Sequence, residues 1–262
     1  MVEVVFLGSG GAFSAGRRSN TALLIEAPGL RMLVEAGPPI LQQLARVGHA
    51  AMDIDWLFVT HAHGDHMLGF PMLVLCHLDA RRPLRVYAGT TTMARLKALW
   101  ELAYPGFADE RLNIAWHPCP EEATEEQPFA PGVTLRTAPV PAPPDLPTLA
   151  ARWDFAVGGS LAFVTDTVPN DAAVALAHGC DLLIHEASFS AVLQPDLDPS
   201  PYFHSTARQA GEVARAAGCP RLALIHLGPR IGEQPDMLAA EARGESDLEV
   251  IVPEDGQRYI LR

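Results

Sequence analysis

The chain has 262 residues, 48% of them hydrophobic, with 31 acidic against 19 basic side chains and a formal net charge of −12 at pH 7. That is enough apolar material for a substantial core in a folded globular protein; the length allows one large domain or two small ones, and a single domain over residues 1–262 is expected. So acidic a chain is a poor general binder of nucleic acid, because phosphate contacts need Lys and Arg, and no uncharged apolar run reaches the roughly 18 residues of a membrane span.

In chain order, "EVVFLG" (3–8) predicts the first strand; with Glu3, a turn by Gly8 and no basic segment ahead of it, this start is unlike a secretory signal, and a cytoplasmic protein is expected. Strands follow at "TALLIE" (21–26) and "RMLVEA" (31–36), then a helix in "PPILQQLARVGH" that Pro38 and Pro39 open and Gly48 closes. After the strand "DWLFVT" (55–60) comes the apolar "MLGFPMLVLCHL" (67–78), read as a helix for core packing or for a homodimer interface. "LRVYAG" (84–89) is a strand, and "EEATEE" (121–126) a solvated loop. The proline-rich "APVPAPPDLP" (138–147) reads as an ordered loop rather than a linker, since strand-like sequence follows at once and leads into "SLAFVT" (160–165). Then come a helix in "NDAAVALAHG" with Asn170 as N-cap and Gly179 past its end, the strand "DLLIHE" (181–186), and a helix in "STARQAGEVARAAG" (205–218) with a Thr206/Gln209 capping box. "RLALIH" (221–226) and "LEVIVP" (248–253) close the series as strands. Strands alternating with helices indicate an α/β layered architecture.

Four of these strands finish in a side chain able to bind metal: His61 follows "DWLFVT", Asp166 follows "SLAFVT", His185 and Glu186 end "DLLI", and His226 ends "RLALI". Strand ends in α/β folds open on a common crevice, so the four can converge. A lone histidine after a strand is more often a satisfied core residue; four strands ending this way point to a shared site. In "THAHGDH" (60–66), His61 and His63 are two apart and point to one side of an extended segment, while Asp65 and His66, beyond Gly64, turn to a second point. One loop can thus feed two cations. A carboxylate must then hold them about 3.5–4 Å apart; Asp166 is the choice, and His226 completes the second ion beside Asp65 and His66. Imidazole and carboxylate without thiolate favour Zn²⁺, with Mn²⁺ and Fe²⁺ compatible.

His204, in "FHST", stands just before a helix cap and can protonate a leaving oxygen or hold an anionic substrate, and Glu186 can orient it and stabilise its charged form. His185 reads as structural, and His49, His77, His117 and His178 as surface or packing residues. Cys76, Cys119, Cys180 and Cys219 form no C-x-x-C pair and read as reduced thiols.

The motifs "FLGSGGAF", "THAHGDH", "FVTDT", "IHEASF", "FHSTARQAG" and "IHLGPR", in this order over essentially the whole chain, resemble the metallo-β-lactamase superfamily, in its RNase Z and arylsulfatase-like branch. The resemblance implies a four-layer αβ/βα sandwich with a dinuclear site at the sheet edges. It implies Glu186 and His204 as the proton-handling pair and Asp65 as both ligand and orienter of the nucleophilic water. Relatives of this kind often dimerise. Two departures stand out. Where such relatives carry a further histidine ligand in a context like "VPHPP", this chain reads "VPAPP" with Ala142 in the ligand's place; Asp145 is the nearest substitute and His117 a remote one. The long basic, Gly-rich arm of tRNA-processing members is missing, since only 24 positions separate Ala142 from Asp166. The expectation is therefore a metal-dependent hydrolase of a small anionic ester, a phosphodiester or a related ester, acting on neither nucleic acid nor membrane. The alternative is a metal-binding protein whose first site is impaired by Ala142 and which holds an anionic ligand with little turnover.

Overall fold

The computed structural model describes residues 1–13, 18–78, 80, 82–106 and 113–261. Two seven-stranded sheets are stacked face to face. The first contains β1 (Val2–Gly8), β2 (Ala22–Ala27), β3 (Leu30–Val34), β4 (Trp56–Val59), β5 (Leu84–Gly89) and β6 (Ile114–Cys119), with β14 (Gln257–Leu261) paired antiparallel to β1 at its edge. The second contains β7 (Gln127–Ala130), β8 (Val133–Val140), β9 (Thr148–Phe155), β10 (Gly159–Val164), β11 (Leu182–Glu186), β12 (Arg221–Ile225) and β13 (Glu249–Ile251), in the order β13-β12-β11-β10-β9-β8-β7.

The two-residue alternation of strand side chains builds the layers. In β1, Val2, Val4 and Phe6 face the other sheet, while Val5 and Leu7 face the helices on the outside. In β10, Leu161 and Phe163 face inward, while Ala162 and Val164 meet the opposite helical layer. Phe58 and Trp153 meet edge to face across the sandwich, centroids 5.4 Å apart, and both are fully buried. Truncating either to Ala removes a side chain worth about 3–5 kcal/mol. Helices α1 (Ile40–Arg46), α3 (Phe70–Leu75) and α4 (Thr90–Ala103) cover the first sheet, and α5 (Asp171–Ala177), α6 (Ala207–Ala216) and α7 (Pro235–Arg243) cover the second. This is the expected αβ/βα sandwich.

The parallel halves of the sheets position the centre. β3, β4 and β5 run parallel, as do β10, β11 and β12, so the segments leaving their C-terminal ends emerge along one rim. β3 stops two residues, and β4 and β12 one residue, before the ends of the runs read in the sequence, because the next residue turns out of the ladder toward that rim: Glu35 after β3, Thr60 after β4, His226 after β12. Asn170 caps α5, accepting from the Ala173 N–H, and the Thr206/Gln209 box closes reciprocally on α6.

The sequence reading of 67–78 as one helix needs correction. A short α2 (Gly64–Met67) ends first, and α3 begins at Phe70 with Pro71 in its first turn. Phe70, Leu73 and Val74 are buried against the first sheet, so this apolar face serves the core. Residues 138–140 of the proline-rich stretch continue β8; the loop itself is 141–147, and Val140 pairs with Thr148 across its ends. The strands β6 and β7 escaped the apolar-run reading because Pro118 and Pro128 interrupt them. Both lie at sheet edges, where a missing N–H is tolerated.

Candidate metal centre

The loop after β4 carries His61 and His63, the latter in extended conformation, and Gly64 then opens α2, whose single turn presents Asp65 and His66. His61 Nε2 and His63 Nδ1 lie 2.9 Å apart and 3.5 and 3.7 Å from Asp166 Oδ2. The other oxygen, Asp166 Oδ1, lies 3.4 Å from both His66 Nε2 and His226 Nε2. Asp65 Oδ2 is in turn 3.3 Å from each of those two nitrogens. Asp166 therefore faces one pair of imidazoles with each oxygen, as a bridging carboxylate must. Six residues from three separate segments meet here, and all six were singled out in the sequence.

Whether these residues fit a divalent ion can be tested on spacing and on hydrogen bonding. Tetrahedral ligation at bond lengths of 2.0–2.1 Å places donor atoms about 3.3 Å apart, and the separations above run from 2.9 to 3.7 Å. Neither ring nitrogen of the fully buried His66 has a hydrogen-bond partner. Buried polar atoms rarely go unpaired; a cation at Nε2 supplies what is missing. Three carboxylates, the buried Glu35 and Asp166 and the half-buried Asp65, crowd the same histidine. Burial alone would lower the His66 pKa, but the charges of Asp166 and Glu35 outweigh it and raise it well above the ordinary value. Burial likewise opposes ionisation of Asp65 and Asp166, yet their histidine neighbours hold both carboxyls well below the usual range. The centre is negative and calls for positive charge.

Two hydroxyl relays set the histidine tautomers. The Thr60 hydroxyl donates to Glu35 Oε1 at 2.6 Å, since a carboxylate only accepts, so Thr60 Oγ1 accepts from His61 Nδ1–H at 2.9 Å and leaves Nε2 bare toward the cluster. On the other side Ser188 donates to Glu186 Oε2 at 2.7 Å and accepts from His226 Nδ1–H at 2.9 Å, with the same result for His226 Nε2. Thr165 Oγ1 donates to Asp166 Oδ1 at 2.6 Å. Glu35, Asp166 and His226 all adopt left-handed backbone, with φ of 67°, 48° and 55°. The sequence reading missed Glu35, Thr60 and Ser188. Glu35 carried the same signal as the others, a polar group ending an apolar strand.

His204 stacks on His226, centroids 5.3 Å apart, and its Nδ1 lies 3.1 Å from Glu186 Oε1. Burial would lower its pKa, but the hydrogen bond and charge of Glu186 prevail and raise it. Glu186 is fully buried and also accepts from the backbone N–H groups of Ser188 and Ser205 at 2.9 and 2.8 Å. His204, Asp166 and His226 form a third group with ligand atoms within 4.8 Å of one another. His185 belongs to none of these groups among the described residues; its Nδ1 contacts the Glu186 carbonyl at 2.8 Å.

A family model for the beta-lactamase superfamily domain matches residues 30–227. The ribonuclease Z of Halorubrum lacusprofundi is 30% identical over an alignment covering 97% of this chain and 96% of that protein, and a Mycobacterium ribonuclease Z is 31% identical over 92% and 90%. The chain belongs to the metallo-β-lactamase superfamily, in its ribonuclease Z-like branch. Its fold is similar to that of a metallo-β-lactamase fold protein from Bacillus subtilis (TM-score 0.81, 21% identity, 98% of both chains covered). It is also similar to human tRNase Z, short form (TM-score 0.79, 21% identity, 99% of both chains).

For this metallo-β-lactamase superfamily member, the two substitutes considered for the histidine replaced by Ala142 are not brought in. Thr167 Oγ1 donates to the Pro141 carbonyl at 3.0 Å, which ties the segment carrying Ala142 to the residue after Asp166. Asp145 is exposed, with its carbonyl held by Arg95 at 2.6 Å, and His117 stacks on Tyr87 in the first sheet at 4.5 Å. Neither is in a ligand group among the described residues. A side chain three residues along a loop need not share its neighbour's direction, and His117 is committed to an edge strand. The His61/His63 position therefore has three protein donors, the number catalytic zinc sites commonly use with one position open.

Proposed function

We propose that this hydrolase-family protein cleaves a small phosphodiester or related ester, using two divalent ions, zinc by the chemistry of the donors. His61, His63 and Asp166 would hold one ion, and Asp65, His66, His226 and Asp166 the other. The observation that carries the reading is Asp166, whose two oxygens each face a different pair of imidazoles. When bound, such ions lower the pKa of water toward about 7 and polarise the ester oxygen. The chain's own part follows from the contacts above. Asp65, kept ionised by His66 and His226, accepts a hydrogen bond from the attacking water and orients it. With Nδ1 committed to Glu186, His204 offers Nε2–H to the departing oxygen; this general-acid step is worth roughly 10²–10⁴ in rate.

The curated relatives are ribonucleases by name, which supports a phosphodiester as the scissile bond. A net charge of −12 argues against RNA as the substrate. The alignment to the Halorubrum protein, 302 positions against 262 residues here, agrees with the loss of a segment that the relative keeps. Substrate and product are thus read as small anions, with neither nucleic acid nor membrane as partner. Among the described residues no helix is long and apolar enough to cross a membrane.

Ala142 supports a second reading, a protein that binds one ion firmly at the Asp65/His66/His226 position and turns over little. Metal analysis and a chromogenic phosphodiester assay, run on the wild type and on Ala142→His, separate the two. Two equivalents per chain with turnover in the wild type are expected on the first reading. One equivalent with turnover only in Ala142→His establishes the second, and no turnover in either protein overturns the first.

A further inference from the structure

Two turns at the starts of β11 and β12 are built alike. Helix α5 runs into "AHGC" (177–180) and helix α6 into "AAGC" (216–219). In each the glycine past the helix end takes left-handed backbone, with φ of 65° at Gly179 and 68° at Gly218, and the cysteine then leads into the strand. β11 and β12 pair in parallel with Leu183 opposite Leu222, so three residues back Cys180 stands opposite Cys219. The Gly179 N–H donates to the Ala217 carbonyl at 2.8 Å and ties the turns together. The two sulfurs, 39 positions apart in the chain, lie 3.3 Å from each other, and both side chains are buried.

The thiols are not equivalent. The neutral Cys219 thiol donates to the Ala177 carbonyl at 3.2 Å, which leaves its sulfur to accept from Cys180. A cation stands beside the pair: the buried Arg152 donates through Nη1 to the carbonyls of Leu176 and His178, on either side of Ala177, at 3.3 and 2.6 Å. The hydrogen bond from Cys180 holds the Cys219 thiol below its ordinary pKa in spite of burial, and the charge of Arg152 acts in the same sense. The same hydrogen bond, with burial, pushes the Cys180 thiol up. Cys219 is thus the sulfur better placed to react as a thiolate, with a second sulfur already in contact to resolve the product.

We propose that Cys180 and Cys219 are a peroxide-oxidisable dithiol that closes to a disulfide, stapling the turn between α5 and β11 to the turn between α6 and β12. The Cys219 thiolate attacks one oxygen of a hydroperoxide; the O–O bond breaks, the other oxygen leaves and takes up the thiol proton, and Cys219 becomes a sulfenic acid. The Cys180 sulfur then attacks the Cys219 sulfur; the S–O bond breaks, and the departing hydroxide takes the Cys180 proton and leaves as water. The two thiols give up two electrons and two protons, and hydrogen peroxide is reduced to two molecules of water. The pair precedes β11 and β12, whereas Glu186 and His226 stand at the other ends of these strands, so the staple forms away from the metal ligands. Hydrogen peroxide is little larger than water and enters where bulkier thiol reagents do not.

The test uses the Cys76→Ser protein, which lacks the one exposed thiol, treated with hydrogen peroxide after full reduction. The intact protein should become lighter by two hydrogens, and digestion should release one peptide pair joined through Cys180 and Cys219. Because the cross-link closes a long loop in the unfolded chain, the melting temperature should rise by about 5–10 °C and return on reduction with dithiothreitol. Zinc content should be the same in the oxidised and reduced forms. A Cys180→Ala/Cys219→Ala change in the same background should abolish both the mass change and the shift in melting temperature. Both thiols still free after peroxide, oxidation to sulfinic acid without a cross-link, or a cross-linked protein that melts no higher than the reduced one would each overturn the proposal.

Discussion

Glu186→Gln tests the hydroxyl and proton-handling arrangement at one stroke. The carboxylate is fully buried and purely an acceptor: Oε1 receives Ser205 N–H, His204 Nδ1–H and Thr167 N–H at 2.8, 3.1 and 3.3 Å, and Oε2 receives Ser188 N–H and Ser188 Oγ–H at 2.9 and 2.7 Å. A glutamine has the same shape but must turn an NH₂ toward one of these two sets of donors. Either way a backbone N–H, the part-buried one of Ser188 or the buried ones of Ser205 and Thr167, loses its acceptor, at a cost of about 1–3 kcal/mol at any pH. A second component depends on pH. The His204 pKa is raised in the folded state, so the stabilisation by its charged form is fully present below the unfolded value near 6.5 and is lost as pH rises through the folded pKa. Exchanging a charge-assisted hydrogen bond for a neutral one removes roughly a further 1 kcal/mol, on the acid side only. Urea unfolding of metal-stripped wild type and variant at about pH 5.5 and about pH 9.5 reads both components. The expected result is a destabilisation at both values, larger at the acidic one. An equal loss at both would remove the charged His204–Glu186 pair, and a loss below about 0.5 kcal/mol at both would falsify the claim that this carboxylate is locked by its donors.

Three further outcomes follow from the surroundings of the centre. Glu35→Gln leaves every proposed ligand in place but loosens the Thr60 relay and the carboxylate 3.4 Å from His66 Nδ1, so zinc affinity by competition with a chelator should fall about 10–100-fold. In Gly11→Ala the new methyl stands 2.9 Å from His226 Cε1, and metal analysis should show selective loss of the ion at the Asp65/His66/His226 position; full loading would show that the imidazole can give way. Of the four thiols, Cys76 is exposed while Cys119, Cys180 and Cys219 are buried, so a thiol reagent should modify one cysteine quickly and the other three only on unfolding, with peptide mapping to confirm which.

The sheets and the centre were legible in the sequence for the same reason. Buried parallel strands must be written as apolar runs, and a polar residue directly after such a run has only the common rim to occupy. His61, Asp166, Glu186 and His226 announce themselves in that way, and Glu35 would have done so had the rule been applied to "RMLVEA". Thr60 and Ser188 could not be found so: a hydroxyl next to a histidine is common, and its role emerges only when the carboxylate across the rim is in place. Edge strands were hidden by Pro118 and Pro128, and α4 by an opening run of three threonines, which are poor helix formers until packing against the sheet holds them. The fate of Ala142 was equally out of reach, because spacing along a loop carries no information on direction.

Glu35, Asp166 and His226, whose backbones lie in the left-handed region, are places where glycine would sit more comfortably, by about 1–3 kcal/mol each. Gly at any one of them would relieve that backbone cost but would also remove a buried side chain and leave its partners, Thr60 for Glu35, His66 for Asp166 and Ser188 for His226, without their contacts, so the conformation is held in place by the centre itself. Any programme to toughen this enzyme for use has to freeze them from the outset and look for its gains elsewhere.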